Sequence, residues 1–135
     1  MRILITDDDF ISRNILHAIL LPYGRCHLAA DGREAVDAFI SAHDEGEPYQ
    51  LMCIDVQMPE MDGQETLKRI RALEMEMAIP EGRRVKAIMV TASRDVKNVI
   101  AAKESRCDAY LVKPVEKERL LDKIRQLKFN VSAPS

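Results

Sequence analysis

Five side chains capable of chemistry stand where short apolar runs end. Leu51-Met52-Cys53-Ile54 leads into Asp55, and Ile3-Leu4-Ile5-Thr6 into the pair Asp7-Asp8. Ile88-Met89-Val90 leads into Thr91, and Leu111-Val112 into Lys113. In an open α/β sheet the site lies at the carboxyl ends of the strands. If these runs are parallel strands, their ends outline one acidic pocket with an ammonium and a hydroxyl at its edge. Carboxylates crowded there repel one another and raise each other's pKa. A hard divalent cation with oxygen ligands removes that penalty and keeps a carboxylate ionised.

The elements needed to position these groups are legible as an alternation. The first strand is Ile3–Thr6, and Ile11, Ile15 and Ile19 recur every fourth residue, which predicts that they form the buried face of a first helix. Asp9 or Ser12 is suited to cap it, and Pro22 and Gly24 stop it. Cys26–Ala30 reads as the second strand, with a turn at Asp31-Gly32 and a second helix striped by Ala35, Val36, Phe39 and Ile40. Ala42–Gln50 reads as loop. The third strand, Leu51–Asp55, is followed by a helix that starts near Gly63 and carries Leu67, Ile70, Leu73 and Met77. Ile79–Lys86, with Pro80, Gly82 and Arg83-Arg84, reads as a protruding loop. A fourth strand (Ala87–Thr91), a weaker fourth helix (Val96, Val99, Ile100), a fifth strand (Ala109–Val112) and a fifth helix (Leu120, Leu121, Ile124, Leu127) complete the pattern.

Strands alternating with helices imply βαβ units and a parallel sheet, and the apolar third and fourth strands call for helices on both faces. The expected fold is a doubly wound, flavodoxin-like α/β domain with five strands in the order 2-1-3-4-5. That order sets the first and third strands side by side at the switch point. Residues 1–129 are expected to form this domain, with 130–135 as a frayed tail.

Composition narrows the setting. The chain has 135 residues, 47% hydrophobic and 31% charged, with a formal net charge of -2. That profile suits one globular domain and gives no general positive field for nucleic acid. No apolar stretch is long enough to span a bilayer, so no membrane partner is expected. Met1 leads directly into a strand without a signal-peptide pattern, which makes the cytoplasm the expected compartment. Cys26, Cys53 and Cys107 lack metal-type spacing, and His17, His27 and His43 have no partners at ligand spacing.

With four segments in register, the chain resembles the receiver domain of two-component response regulators. The segments are Ile5-Thr6-Asp7-Asp8-Asp9, Ile54-Asp55-Val56-Gln57-Met58-Pro59-Glu60-Met61-Asp62-Gly63, Met89-Val90-Thr91-Ala92 and Tyr110-Leu111-Val112-Lys113-Pro114. The resemblance implies that Asp55 accepts a phosphoryl group from a sensor histidine kinase or a histidine phosphotransfer protein. It implies a Mg²⁺ site, with Mn²⁺ as a substitute, held by Asp8, Asp55 and the backbone carbonyl of Gln57, and by Asp7 through water. It assigns catalytic support to Thr91 and Lys113, a switch role to Thr91 and Tyr110, and a cis peptide to Lys113-Pro114. The protein would catalyse only its own phosphorylation and dephosphorylation. The output would be a changed surface over the fourth helix, fifth strand and fifth helix, read in trans by an unidentified partner.

Each residue also has a plainer reading. Asp7-Asp8-Asp9 can be a solvated turn, with Asp9 capping the helix. Thr91 can be an ordinary strand end, Lys113 a surface charge, Tyr110 a packing aromatic and Arg83-Arg84 solvated charges. Two other functions use similar residues. One is a phosphatase of the haloacid-dehalogenase type, whose Asp-x-Asp-x-Thr pattern would need Thr where Ile11 stands. The other is a degenerate receiver that serves only as a binding module. The chain departs from the receiver pattern at Arg106-Cys107, where Gly suits a left-handed helix end. It departs again in the length of the Ile79–Lys86 connection.

Overall fold

Five short apolar runs form a single parallel sheet in the order β2-β1-β3-β4-β5. The computed structural model describes residues 1–92, 100–101 and 103–129. The strands are β1 (Arg2–Thr6), β2 (Arg25–Ala29), β3 (Leu51–Asp55), β4 (Lys86–Thr91) and β5 (Ala109–Val112). The helices are α1 (Phe10–Leu20), α2 (Gly32–Asp44), α3 (Gly63–Glu76) and a C-terminal helix (Lys117–Gln126). Residues 100–101 and 103–104 are helical. The expected fourth-helix positions Val96 and Val99 and the tail 130–135 lie outside the described residues.

The period-two alternation of the strands sends side chains into two cores. Leu4, Met52, Ile54, Ala87 and Met89 pack with Phe39 of α2 and Leu67 and Ile70 of α3. Ile3, Ile5, Cys53, Ile88 and Val90 pack with Leu16 and Leu20 of α1 and Leu120, Leu121 and Ile124 of the C-terminal helix. The sheet is therefore doubly wound, as the alternation predicted. Among the described residues no helix is long and apolar enough to cross a membrane. Burial raises the thiol pKa of Cys26 and Cys107 and pushes that of Cys53 to about 12, which leaves all three as protonated thiols rather than reactive thiolates.

The expectation for α1 is corrected. Its buried face is Leu16 and Leu20, whereas Ile11 and Ile15 are 68% and 47% exposed. Ile19 sits between, packed partly against the core. Residues 15 and 16 lie 100° apart on a helix, and both apolar stripes recur at i+4. Spacing alone could not choose between them. Smaller differences occur elsewhere. α2 continues through Asp44 into the expected loop, β2 starts and ends one residue earlier, and Glu81–Arg83 is a short 3-10 turn. Ile40 is exposed rather than part of the buried stripe, and Ala38 and Ala42 take its place. Met75 and Met77 are exposed at the end of α3.

A buried charged network holds α3 to the β4 and β5 side of the sheet. One Arg71 guanidinium nitrogen donates to Glu74 Oε1 at 2.7 Å and to the Val85 carbonyl at 2.7 Å. The other donates to Asp108 Oδ2 at 3.1 Å and, with Nε, to the Arg106 carbonyl. Glu74, fully buried, accepts the Val85 N–H at 2.8 Å, and Asp108 accepts the Ala87 N–H at 2.8 Å. Arg106 has φ 63°, the left-handed conformation that Gly would adopt without strain. Its carbonyl is caught by Arg71 in that conformation.

Breaking this network should be costly because it strands a buried carboxylate. Arg71→Met is expected to lower unfolding free energy in urea by about 3–5 kcal/mol. Pairing it with Glu74→Gln, which keeps an acceptor for Val85 but removes the charge, should recover a substantial part of that loss. If the double variant is no more stable than the single one, Glu74 is not the stranded charge.

Candidate functional site

The carboxyl ends of β1, β3 and β5 bring the expected acids and the lysine together. β1 and β3 are neighbours, with Thr6 in register with Ile54. One carboxylate oxygen from each of Asp7, Asp8 and Asp55 lies within 4.8 Å of the others. Asp7 and Asp55 are buried, whereas Asp8 is exposed.

Local chemistry explains how these side chains are held. The Asp7 backbone N–H continues the β1–β2 ladder to the Ala29 carbonyl at 3.1 Å, and Arg13 clamps the Asp7 carbonyl at 2.9 Å. Asp7 Oδ1 accepts the Asp9 N–H at 2.9 Å. Asp9 caps α1, accepting the Ser12 N–H at 3.1 Å and the Ser12 hydroxyl at 2.8 Å. Those bonds hold its carboxyl below the usual range, so Asp9 is committed to the helix end. After β3 the chain folds back tightly. The Gly63 N–H donates to the Val56 carbonyl at 3.0 Å, and a Cβ at Gly63 would come within 2.3 Å of the Asp55 carbonyl oxygen. Glycine is therefore required for α3 to start so close behind the acid. Asp62 caps α3 through the Glu65 N–H at 2.8 Å.

Lys113 reaches the acids from β5, two strands away from β3. Its Nζ lies 3.1 Å from Asp7 Oδ2 and 3.5 Å from Asp55 Oδ2, and it also contacts Ser12 Oγ at 3.4 Å. The Lys113-Pro114 peptide is cis. Burial pulls the ammonium pKa down, but Asp55 and Asp7 outweigh it, so the net shift is upward. Asp55 moves the other way from an ordinary carboxylate. Burial first, and then the Asp7 charge, push its pKa up to about 7, against the pull of Lys113 and the Gln57 N–H. That N–H meets Asp55 Oδ1 at 3.2 Å. The pocket thus holds more negative charge than one lysine balances, with hard oxygen donors facing one another. This donor set suits a divalent cation such as Mg²⁺.

Thr91 is buried at the end of β4, and its hydroxyl donates to Gln57 Oε1 at 3.0 Å. The same oxygen accepts the Ala92 N–H at 3.3 Å. Tyr110 stands apart from the acids. It is half-buried on β5, in register with Met89, and packs against the core shared by α2 and α3. His27 stacks edge-on to Tyr49, and His43 to Phe39, both away from the pocket.

Two contacts went unrecognised in the sequence. Ser12 was readable only as a helix cap, although its hydroxyl also touches Lys113. Gln57, two residues beyond Asp55, is expected as a carbonyl ligand and as a flanking residue that influences how fast a phosphoryl group is lost, but its side-chain bond to Thr91 had no signal in the sequence.

Comparison with known proteins agrees with this geometry. A family model described as the response regulator receiver domain matches residues 3–125. The chain is 31% identical over 134 residues to probable histidine kinase 2 of Oryza sativa subsp. indica, covering 92% of this chain but 12% of that protein. Among solved structures it resembles a co-crystal of the Saccharomyces cerevisiae histidine phosphotransfer signaling protein Ypd1 with the receiver domain of its downstream response regulator Ssk1. That match has a TM-score of 0.80 and 30% identity, covering 98% of this chain and 94% of the other. It also resembles the receiver domain of the Arabidopsis thaliana histidine kinase CKI1 complexed with Mg²⁺ and BeF₃⁻, with a TM-score of 0.79 and 26% identity over 94% of this chain and 89% of that one. The chain belongs to the response regulator receiver domain family, the receiver module of two-component and phosphorelay systems.

Proposed function

We propose that residues 1–129 form a phosphoacceptor unit in which Asp55 takes a phosphoryl group from the phosphohistidine of a sensor histidine kinase or histidine phosphotransfer protein. The observation that carries this reading is the convergence of Asp7, Asp8, Asp55 and Lys113 at one strand edge. The complexes of similar receivers with a phosphotransfer protein and with Mg²⁺ and BeF₃⁻ support it.

An ionised Asp55 oxygen attacks phosphorus, and the P–N bond to the donor imidazole breaks. The electron pair stays on the ring nitrogen, which takes up a proton, and an aspartyl phosphate remains. Asp8, Asp55 and the Gln57 carbonyl would hold Mg²⁺ (or Mn²⁺), with Asp7 behind a water. When bound, the ion neutralises the carboxylates and the phosphoryl oxygens. Lys113 supplies a second positive charge from the β5 side. Ile15, exposed on α1, lines a cleft with Ser12, Lys113 and Pro114 on the side from which a donor protein would approach.

The new phosphate adds charge and acceptor oxygens. Thr91 turns toward them, Tyr110 shifts into the space released behind β4, and the surface of the fourth helix, β5 and the C-terminal helix changes for a partner. The chain acts on itself and releases the phosphoryl group to water.

Intact-mass analysis after treatment with acetyl phosphate and Mg²⁺ tests the acceptor. A labile phosphoryl adduct should form on the wild type and on Asp9→Asn but not on Asp55→Asn. An adduct that survives in Asp55→Asn contradicts the assignment.

The raised pKa of Asp55 also gives a signed stability prediction for metal-free protein. A carboxyl whose folded-state pKa lies near 7, above the unfolded value near 4, favours folding fully below pH 4, and that contribution is lost as pH rises through 7. In EDTA, Asp55→Asn should therefore be more stable than wild type at pH 8, by about 1–3 kcal/mol. The difference should shrink toward pH 4, and Mg²⁺ at pH 8 should narrow it. Urea unfolding across this range checks it, and an Asn variant no more stable at pH 8 contradicts it.

A further inference from the structure

We propose that the Gln57 side chain is a latch that occupies, before phosphorylation, the hydrogen-bond donors a phosphoryl group on Asp55 needs. The inference rests on Asp55 being the phosphoacceptor. Gln57 sits two residues beyond Asp55, and its backbone N–H is tied to Asp55 Oδ1 at 3.2 Å. Its side chain crosses instead to β4, where Oε1 accepts both the Thr91 hydroxyl at 3.0 Å and the Ala92 N–H at 3.3 Å. The Ala92 N–H can only donate, so the amide oxygen rather than the nitrogen faces β4. One neutral oxygen thus gathers two donors at the end of the strand adjacent to β3, where Asp55 is in register with Val90.

A phosphoryl oxygen competes for the same donors with negative charge behind it, and charge-assisted bonds are roughly twice as strong as neutral ones. The phosphoryl group wins the exchange, but by a margin that Gln57 reduces. The released amide faces water, since Gln57 is exposed, so it leaves without burying an unsatisfied group. Gln57 is then a positioning residue. It acts through Thr91 and Ala92 on the balance between the two states and makes no contact with the reacting phosphorus.

The test uses the whole chain, Mg²⁺ and beryllofluoride, with half-saturation read from ¹⁵N–¹H spectra. Gln57→Met keeps the length but removes the acceptor, and Gln57→Ala guards against a poor fit of the methionine. Both variants keep the backbone carbonyl. The Ala92 amide resonance of the free protein should move in both variants. The beryllofluoride concentration at half-saturation should fall about 3- to 10-fold, as expected for releasing one net hydrogen bond. A loss of structural support would weaken binding instead. Unchanged or weaker binding in both variants, or an Ala92 resonance that stays put, overturns the latch. A wild-type chain that binds no beryllofluoride overturns the phosphoacceptor reading and the latch with it. That outcome is distinguishable because the failure then appears before any substitution is made.

Discussion

Asp7 and Asp55 lie buried at the ends of adjacent strands, and their mutual repulsion is the constraint around which the carboxyl edge of the sheet is organised. Burial disfavours the charge on Asp55, and the neighbouring charge on Asp7 adds to that cost. Lys113 answers both from the end of β5, within 3.1 Å of Asp7 and 3.5 Å of Asp55. One ammonium cannot balance three carboxylates. The remaining negative charge, with Asp8 open to solvent, is what suits the pocket to a divalent cation.

The rest of the fold keeps those charges close. Parallel pairing of β1 and β3 fixes the spacing of Asp7 and Asp55, and Gly63 lets α3 begin directly behind Asp55. Arg71 then ties α3 to the stretch before β4 and to the turn before β5, so the strands that deliver Thr91 and Lys113 are braced from the same helix. The side chains to which the proposal gives a switching role sit on this frame. The Gln57 side chain is exposed, Thr91 is held by that side chain, and Tyr110 is half-buried at the far side of β4. Signalling needs this division, because a modification can shift a two-state element only if its surroundings do not yield continuously.

Much of this was legible in the sequence because strand ends are strong signals. An apolar run that stops on Asp, Thr or Lys marks both an element and its end, and right-handed crossovers leave few orders, of which 2-1-3-4-5 is the doubly wound one observed. Other features were hidden for identifiable reasons. The two i+4 stripes of α1 are equally apolar, so the one containing Leu16 and Leu20 is selected only by packing against β1 and the C-terminal helix. Arg71 and Glu74 are three apart on a helix, the spacing of an ordinary surface pair. Their burial depends on Val85, Arg106 and Asp108, which are distant in sequence. Arg106 marked a departure from the expected glycine, but what holds its left-handed conformation is a carbonyl bond to Arg71 that no local pattern contains. The bridge from Gln57 to Thr91 spans 34 residues and is likewise a product of the folded sheet.

The central claim is that the three carboxylates act jointly on one cation beside Asp55. Anomalous diffraction from crystals soaked in Mn²⁺ addresses it most directly. The account predicts a single strong peak at bonding distance from the Asp8 and Asp55 carboxylates and the Gln57 backbone carbonyl. A peak bound elsewhere, or an acidic pocket that stays empty at saturating Mn²⁺, contradicts it.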